Sequence, residues 1–224
     1  MEYPKIETLF KRDEKFNIME GVLKMPVLAT INKWQVTEKI DGMNIRIILT
    51  REGELSFGGR TDKAQLSADL FQYLQKTCTV EKMKEVFWLP RSETLTNEEI
   101  TPVDVILFCE GYGAGIQKGG GDYNKNKVVR LFDVLIDEKW WLDWENTCDV
   151  AKKLGIKTVP SLGDSTLDEI IIFVKEGFTS VVSSEEGNPR QAEGIVGRTI
   201  EPLFDKRGRR LILKLKTKDF EEKK

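Results

Sequence analysis

The sequence predicts an α+β fold on three observations. Residues 34–60 alternate apolar and polar at the period of a strand, and the runs at 103–110 and 128–136 are apolar enough and short enough for buried strands. Helical patterns at 66–76, 80–88, 145–154 and 166–176 fall among these strands without the regular spacing of βαβ units.

Taken in order, WQVTEKIDG, MNIRIILT and ELSFGGRT are strands flanking a hairpin at the REGE turn, with Lys39 where one strand gives way to a turn containing Gly42. Leu66, Leu70 and Leu74 stand at helical spacing, a second helix follows, and LPRSETLTNEEITP is a loop. VDVILFCE runs into the glycine-rich GYGAGIQKGGGDY, a flexible loop, and VVRLFDVLI is placed beside it as a neighbouring strand. After two helical stretches, EGIVGRT and LILKLKTK return to strand character. In the latter, Lys214 and Lys216 project from one face while Leu213 and Leu215 pack the other. The last lysines form a solvated tail. There is no internal repeat or linker, so residues 1–224 are expected to form a single domain.

Composition removes several chemistries. With 0 histidines, Ser-His-Asp and Cys-His catalysis and HExxH zinc sites are impossible, so any reaction must run on Lys, Arg, Asp, Glu, Tyr or a metal. Cys78, Cys109 and Cys148 lie far apart with no CxxC pair, which suggests reduced thiols and no zinc site. A net charge of -2 and a pI of about 5.6 exclude a surface coated in positive charge and leave room for a local basic groove. The absence of a long apolar stretch and a charged start point to a cytoplasmic protein that does not enter membranes.

The chemistry-bearing residues are charges set in apolar strands: Lys39, Asp41 and Asn44 in EKIDGMN, Arg60 in FGGRT, Glu110 in ILFCEGYG, Glu193 in AEGIVGR, and Lys214 with Lys216. A charge in such a context is costly unless it has a partner. Lys-x-Asp-Gly alone is also what a surface hairpin produces, since Asp-Gly is a favoured turn pair. The glycine-rich segment is not a P-loop, because Lys118 is followed by glycine where Ser or Thr is required, nor does it complete GxGxxG.

Read together, KIDGMN, FGGRT, CEGYGAGIQKGGGDY, RLFDVLI, EGIVGR and LILKLK resemble, in order, the motif set of the covalent nucleotidyltransferases. Asn44 and the GIQK tract resemble the RNA ligase 2 type of nick-sealing RNA ligase; DNA ligases and capping enzymes usually carry arginine at the position of Asn44. The resemblance implies an adenylyltransferase domain of mainly antiparallel sheets with a nucleotide pocket between them and flanking helices. Only 8 residues follow Lys216, so no C-terminal OB or helical appendage is expected.

What the resemblance implies for single residues is as follows. Lys39 is the nucleophile that takes AMP from ATP. ATP is bound by Glu38 at the adenine edge, by Arg60 and Glu110 at the ribose, by Phe132 stacked on the base, and by Ile40, Asn44, Lys214 and Lys216, with Asp133 in support. Asp41 and Glu193 orient Mg²⁺ (or Mn²⁺) through its waters. Lys118, Arg207, Arg209 and Arg210 are candidate RNA contacts, the last three within the basic run KRGRR. A lysine amine, of pKa about 10.4 when free, attacks only when neutral, and neighbouring cations favour the neutral form. The expected activity is ATP-dependent sealing of 3′-hydroxyl and 5′-phosphate RNA ends, with a partner protein as one way to grip RNA. The alternatives are a self-adenylylating module that does not seal, and a DNA nick ligase.

Overall fold

A computed structural model of the chain describes residues 1–88 and 101–221; most of the predicted loop LPRSETLTNEEITP, and the terminal Lys223 and Lys224, lie outside them. The strands are β1 (Glu7–Thr8), β2 (Phe10–Arg12), β3 (Ile18–Leu23), β4 (Trp34–Glu38), β5 (Met43–Leu49), β6 (Leu55–Gly58), β7 (Val105–Tyr112), β8 (Val128–Ile136), β9 (Trp140–Trp141), β10 (Lys157–Thr158), β11 (Ser161–Ser165), β12 (Gly194–Thr199) and β13 (Ile212–Lys216). The helices are α1 (Ala68–Thr77), α2 (Val80–Phe87), α3 (Trp144–Leu154), α4 (Leu167–Glu176) and α5 (Val181–Glu185). They form two compact units, one from Met1–Tyr3 and Gly42–Thr158, the other from Pro4–Asp41 and Val159–Lys224. No helix among the described residues is long and apolar enough to cross a membrane.

The first unit is built on the sheet β10-β8-β7-β5-β6, antiparallel except for the β10–β8 pair, with β9 added beside β8. Alternation decides its faces: Ile45, Ile47 and Leu49 of β5 are fully buried in the core, while Asn44 and Arg46 look the other way. Leu70 and Leu74 of α1, Met83 of α2 and Val150, Ala151 and Leu154 of α3 cover the core face. Burying one such leucine contributes about 2 kcal/mol. Thr79 and Asp143 cap α2 and α3 by accepting from the backbone amides of Lys82 and Asn146, and Gly155 closes α3 in the left-handed region.

The second unit holds the sheet β1-β13-β12-β4-β11, antiparallel except where the two-residue β1 lies parallel to β13. Trp34, Val36, Ile195, Leu213 and Leu215 fill its core against Ile170 and Val174 of α4. Thr166 and Glu169 make a reciprocal capping box at the start of α4. The predicted division of LILKLK holds, with Leu213 and Leu215 in the core and both lysines half-buried on the opposite face. The strand is interior to the sheet, flanked by β1 and β12.

One irregularity matters for the site. Between β7 and β8 the pairing runs Phe108↔Asp133 and then Cys109↔Leu131, so Phe132 is the extra residue of a bulge. Strict alternation would turn Asp133 toward the core beside Leu131. With the bulge, Leu131 and Val134 are both core residues, while Phe132 and Asp133 both reach Tyr3 on the other face.

Candidate active site

In the second unit the strand carrying the predicted nucleophile, β4, pairs with β12, and this pairing runs one residue further when the Lys39 amide donates to the Gly194 carbonyl at 2.8 Å. Gly194 has φ +149°, and a Cβ there would stand 2.1 Å from the Leu215 carbonyl oxygen. Only glycine lets β12 pass this close to β13, and the preceding Glu193 is thereby delivered to Lys39 and Lys216 together. The Thr217 amide donates to the Glu193 carbonyl at 3.0 Å and its hydroxyl to the Ala192 carbonyl at 2.9 Å, which holds the backbone at this point.

Glu193 forms an ion bridge. Lys39 Nζ donates to Oε2 at 2.7 Å, and Lys216 Nζ lies 2.5 Å from Oε1. The three side chains are only 22%, 12% and 23% exposed for Lys39, Glu193 and Lys216, so the charges are largely withdrawn from water. Lys214 belongs to the same electrostatic cluster. Burial holds its ammonium below the ordinary lysine pKa, the positive charges of Lys39 and Lys216 push in the same direction, and Glu193 opposes them. Residues at 39, 193, 214 and 216, distant in sequence, are therefore brought together as the motif order predicts.

Glu38 and Ile40, on either side of Lys39, are buried. The Glu38 carboxylate accepts from the Ser180 hydroxyl at 2.5 Å and from the amides of Val181 and Val182 at 2.8 and 3.4 Å, which places it at the N-terminal end of α5. Helix α5 and this use of Glu38 had no signal in the sequence except the N-cap serine. Asp41, half-buried, is the last residue of this unit before the chain passes to the other.

In the first unit the turn glycine of KIDG is set by close packing. A Cβ on Gly42 would meet the Gly111 carbonyl oxygen at 2.3 Å and Glu110 Oε1 at 3.0 Å. Asn44 and Glu110 are direct cross-strand partners, and Arg130 faces Glu110 from β8. Asn44 Oδ1 is buried and has no hydrogen-bond partner among the described residues. Such an unpaired buried acceptor costs about 1–3 kcal/mol. Arg60 is exposed just beyond β6. The loop that carries it is held by Arg46, which sequence reasoning missed: Arg46 is 3% exposed, donates to the Gly59 carbonyl at 2.7 Å and pairs with Asp62 at 2.7 Å. Its signal was an arginine alternating with isoleucines in MNIRIILT.

Phe132 is 8% exposed, with its ring edge-to-face against Tyr3 at 5.0 Å. Tyr3 also contacts Phe108 and Trp141, and its hydroxyl donates to Asp133 Oδ2 at 2.7 Å. The glycine-rich segment predicted as a flexible loop is folded onto itself. Ile116 and Tyr123 are buried, the Ala114 amide donates to the Asn124 carbonyl, and Gln117 Nε2 donates to the Gly42 carbonyl at 3.1 Å. Buried apolar side chains at its middle and end account for the difference. Lys118 is exposed. In the second unit, KRGRR forms a turn around Asp205, which accepts from the amides of Arg207 and Arg209 and pairs with the Arg209 guanidinium at 2.6 Å. Arg207 is exposed and Arg210 half-buried.

A family model of RNA ligase matches residues 32–216. This chain belongs to the RNA ligase family. Solved structures agree on the fold: a Naegleria gruberi RNA ligase variant with ATP and Mn superposes with a TM-score of 0.65 at 17% identity, covering 98% of this chain and 58% of that one. A second variant of that ligase, with AMP and Mn, gives 0.64 at 17% identity, and a third, without ligand, gives 0.65 at 18%, each with the same coverage of 98% and 58%. The chain thus spans just over half the length of these ligases. A search of curated proteins found no match. For an RNA ligase family member, the α+β architecture of mostly antiparallel sheets is the expected one. Among the described residues no three carboxylate or thiol groups converge on a metal-sized site. Glu193 already holds two ammonium groups, so its oxygens suit a hydrated Mg²⁺, reached through water, better than a direct ligand cage.

Proposed function

We propose that the chain is an ATP-dependent RNA ligase that works through a covalent lysyl-AMP on Lys39. The convergence of Lys39, Glu193 and Lys216 within hydrogen-bond distance carries this reading. In the reaction the Lys39 ammonium first gives its proton to solvent. Its Nζ then forms a bond to the α-phosphorus of ATP as the bond to pyrophosphate breaks. Lys214 and Lys216 compensate charge on the phosphates, and Asn44, Arg60, Glu110 and Phe132 hold the nucleoside. Asp41 and Glu193 would hold a hydrated Mg²⁺ through its waters, and such an ion would supply further neutralisation of the phosphates. AMP next passes to a 5′-phosphate at an RNA end or nick, and a 3′-hydroxyl displaces it to form the phosphodiester.

The buried acceptor of Asn44 supports a nucleotide ligand. Because the chain spans 58% of the solved ligases, sealing is a claim separate from adduct formation, and a self-adenylylating module is the second reading. The test incubates the protein with labelled ATP or GTP and Mg²⁺, denatures it, and follows label retained on the chain. In parallel it offers nicked RNA, hybrid and DNA duplexes. We expect ATP-derived adduct, none with Lys39→Ala, and ligated RNA. Undiminished labelling of Lys39→Ala overturns the nucleophile assignment, and adduct without any ligated product selects the second reading.

A further inference from the structure

The N-terminal segment contributes a feature the adenylylation reading does not use. A cavity of about 620 Å³ in the second unit is lined by Lys5, Lys11, Arg12, Lys24 and Lys214, against the two acids Glu7 and Asp13. That volume is in the range of small-molecule sites. An excess of cations here contrasts with a net charge of -2 for the whole chain, so it is a local concentration of charge. The acids are already occupied. Glu7 pairs with Lys24, and Asp13 accepts from the amides of Lys15 and Asn17 and from the Asn17 side chain. Arg12 is fixed by Asp219 at 2.8 Å and by the Phe16 carbonyl. Lys5 and Lys11 are exposed and take part in no ion pair among the described residues.

Register connects this wall to the lysine cluster. Strand β1 lies parallel to β13 with Thr8 opposite Lys214, and the Leu9 amide donates to the Lys214 carbonyl at 3.1 Å. Lys214 therefore lines the cavity while standing in the field of Lys39, Lys216 and Lys5. Such an array is suited to oxyanions, because lysine acts as a point charge for phosphate and a fixed guanidinium adds directed donors.

We infer that this cavity is a second phosphate-binding subsite, joined to the nucleophile cluster through Lys214. Its ligand chemistry is the phosphate group, which can come from the β,γ-phosphates of ATP or from the backbone of an RNA strand. The inference rests on the ligase reading only for the role of Lys214.

The experiment uses the full chain in a Lys39→Ala background, so that nothing turns over. Calorimetry measures inorganic pyrophosphate, and anisotropy measures a single-stranded 5′-phosphorylated oligoribonucleotide, each over a salt series. Lys5→Ala with Lys11→Ala should weaken at least one ligand about tenfold at low salt and reduce the slope of log K against log salt by about one per lysine removed. Lys5→Arg with Lys11→Arg should retain binding. Loss for pyrophosphate alone assigns the subsite to the ATP tail, loss for the oligonucleotide alone to the strand, and loss for both to a shared path. Unchanged binding of both ligands overturns the inference, as does an equal loss in a charge-matched control, Lys63→Ala with Lys76→Ala. Adduct formation with Lys39 intact is scored separately, so the subsite can stand if the ligase reading falls.

Discussion

Replacing Glu193 by glutamine removes the only negative charge of the Lys39–Glu193–Lys216 bridge while keeping its size. Both ion pairs are short, 2.7 and 2.5 Å, and all three side chains are less than a quarter exposed, so they lie between surface pairs, worth about 0–1 kcal/mol, and buried pairs, whose one-sided removal costs about 3–5 kcal/mol. We expect Glu193→Gln to cost about 2–3 kcal/mol, or about 5–10 °C in Tm for a chain of this size. Part of the cost is mutual repulsion among Lys39, Lys214 and Lys216 once their common counter-charge is gone. Lys214, already below the ordinary lysine value through burial, then loses the one influence that opposes the shift. The sign follows: the deficit of the variant should shrink as pH rises and the Lys214 ammonium discharges, and it should shrink with added salt. The assay is urea unfolding of wild type, Glu193→Gln, Lys216→Met and the double variant as a thermodynamic cycle. A coupling of about 1–2 kcal/mol is expected between Glu193 and Lys216. If the Glu193→Gln midpoint coincides with wild type and the coupling is zero, the bridge does not form in solution and the reasoning fails.

Three further outcomes are expected. Gly42→Ala should destabilise by about 1–3 kcal/mol, because the new methyl meets the Gly111 carbonyl at 2.3 Å, and it should depress adduct formation through Glu110; chemical unfolding and labelling check the two effects. Tyr3→Phe should cost about 1.5–3 kcal/mol, since it removes a buried 2.7 Å donor to Asp133 and leaves the ring contacts in place; a loss below about 0.5 kcal/mol would contradict the geometry. Burial pushes the Cys78 thiol up to about 11 from 9.0, so the folded chain keeps this proton after the unfolded chain has lost it. That contribution is complete below pH 9 and lost as pH rises toward about 11, amounting to about 2–3 kcal/mol, which Cys78→Ala measured alongside wild type at pH 8 and 11 isolates.

The elements legible in the sequence were those whose periodicity was long enough to exclude alternatives. The runs at 103–110 and 128–136, the leucines of α1 and the alternation in LILKLK all fall where periodicity puts them, because each buries a row of side chains against one core. The two-residue β1 and β10 carry no period at all, and they exist only because β13 and β8 offer an open edge. The bulge at Phe132 was hidden for a different reason. RLFDVLI is compatible with plain alternation until the pairing with β7 turns Asp133 to the face where Tyr3 covers it. At the site, the motif order was sufficient to bring Lys39 to Glu193 and Lys216. It put Glu38 at an adenine edge and gave no sign of the donors that its buried carboxylate finds 142 and more residues away at the start of α5. Arg46 was legible in principle as a charge inside an isoleucine strand, yet its partner, the loop of Arg60, depends on how β6 ends.

The parallel pairing of Glu7 with Leu213 has a consequence for the way the polypeptide is made. Translation delivers residues from the N-terminus at roughly 5–20 per second, and local pairings fold as they emerge. The segment Gly42–Thr158 is continuous and can close its own core early. Strand β4, made before it, must wait for its neighbours β11 and β12, and β1 waits for β13. A nascent or prematurely released chain that stops short of residue 212 therefore carries Lys39 with neither of the two cations of LILKLK beside it. Assembly of the amine's surroundings therefore waits until Lys216 has emerged, long after Lys39 itself.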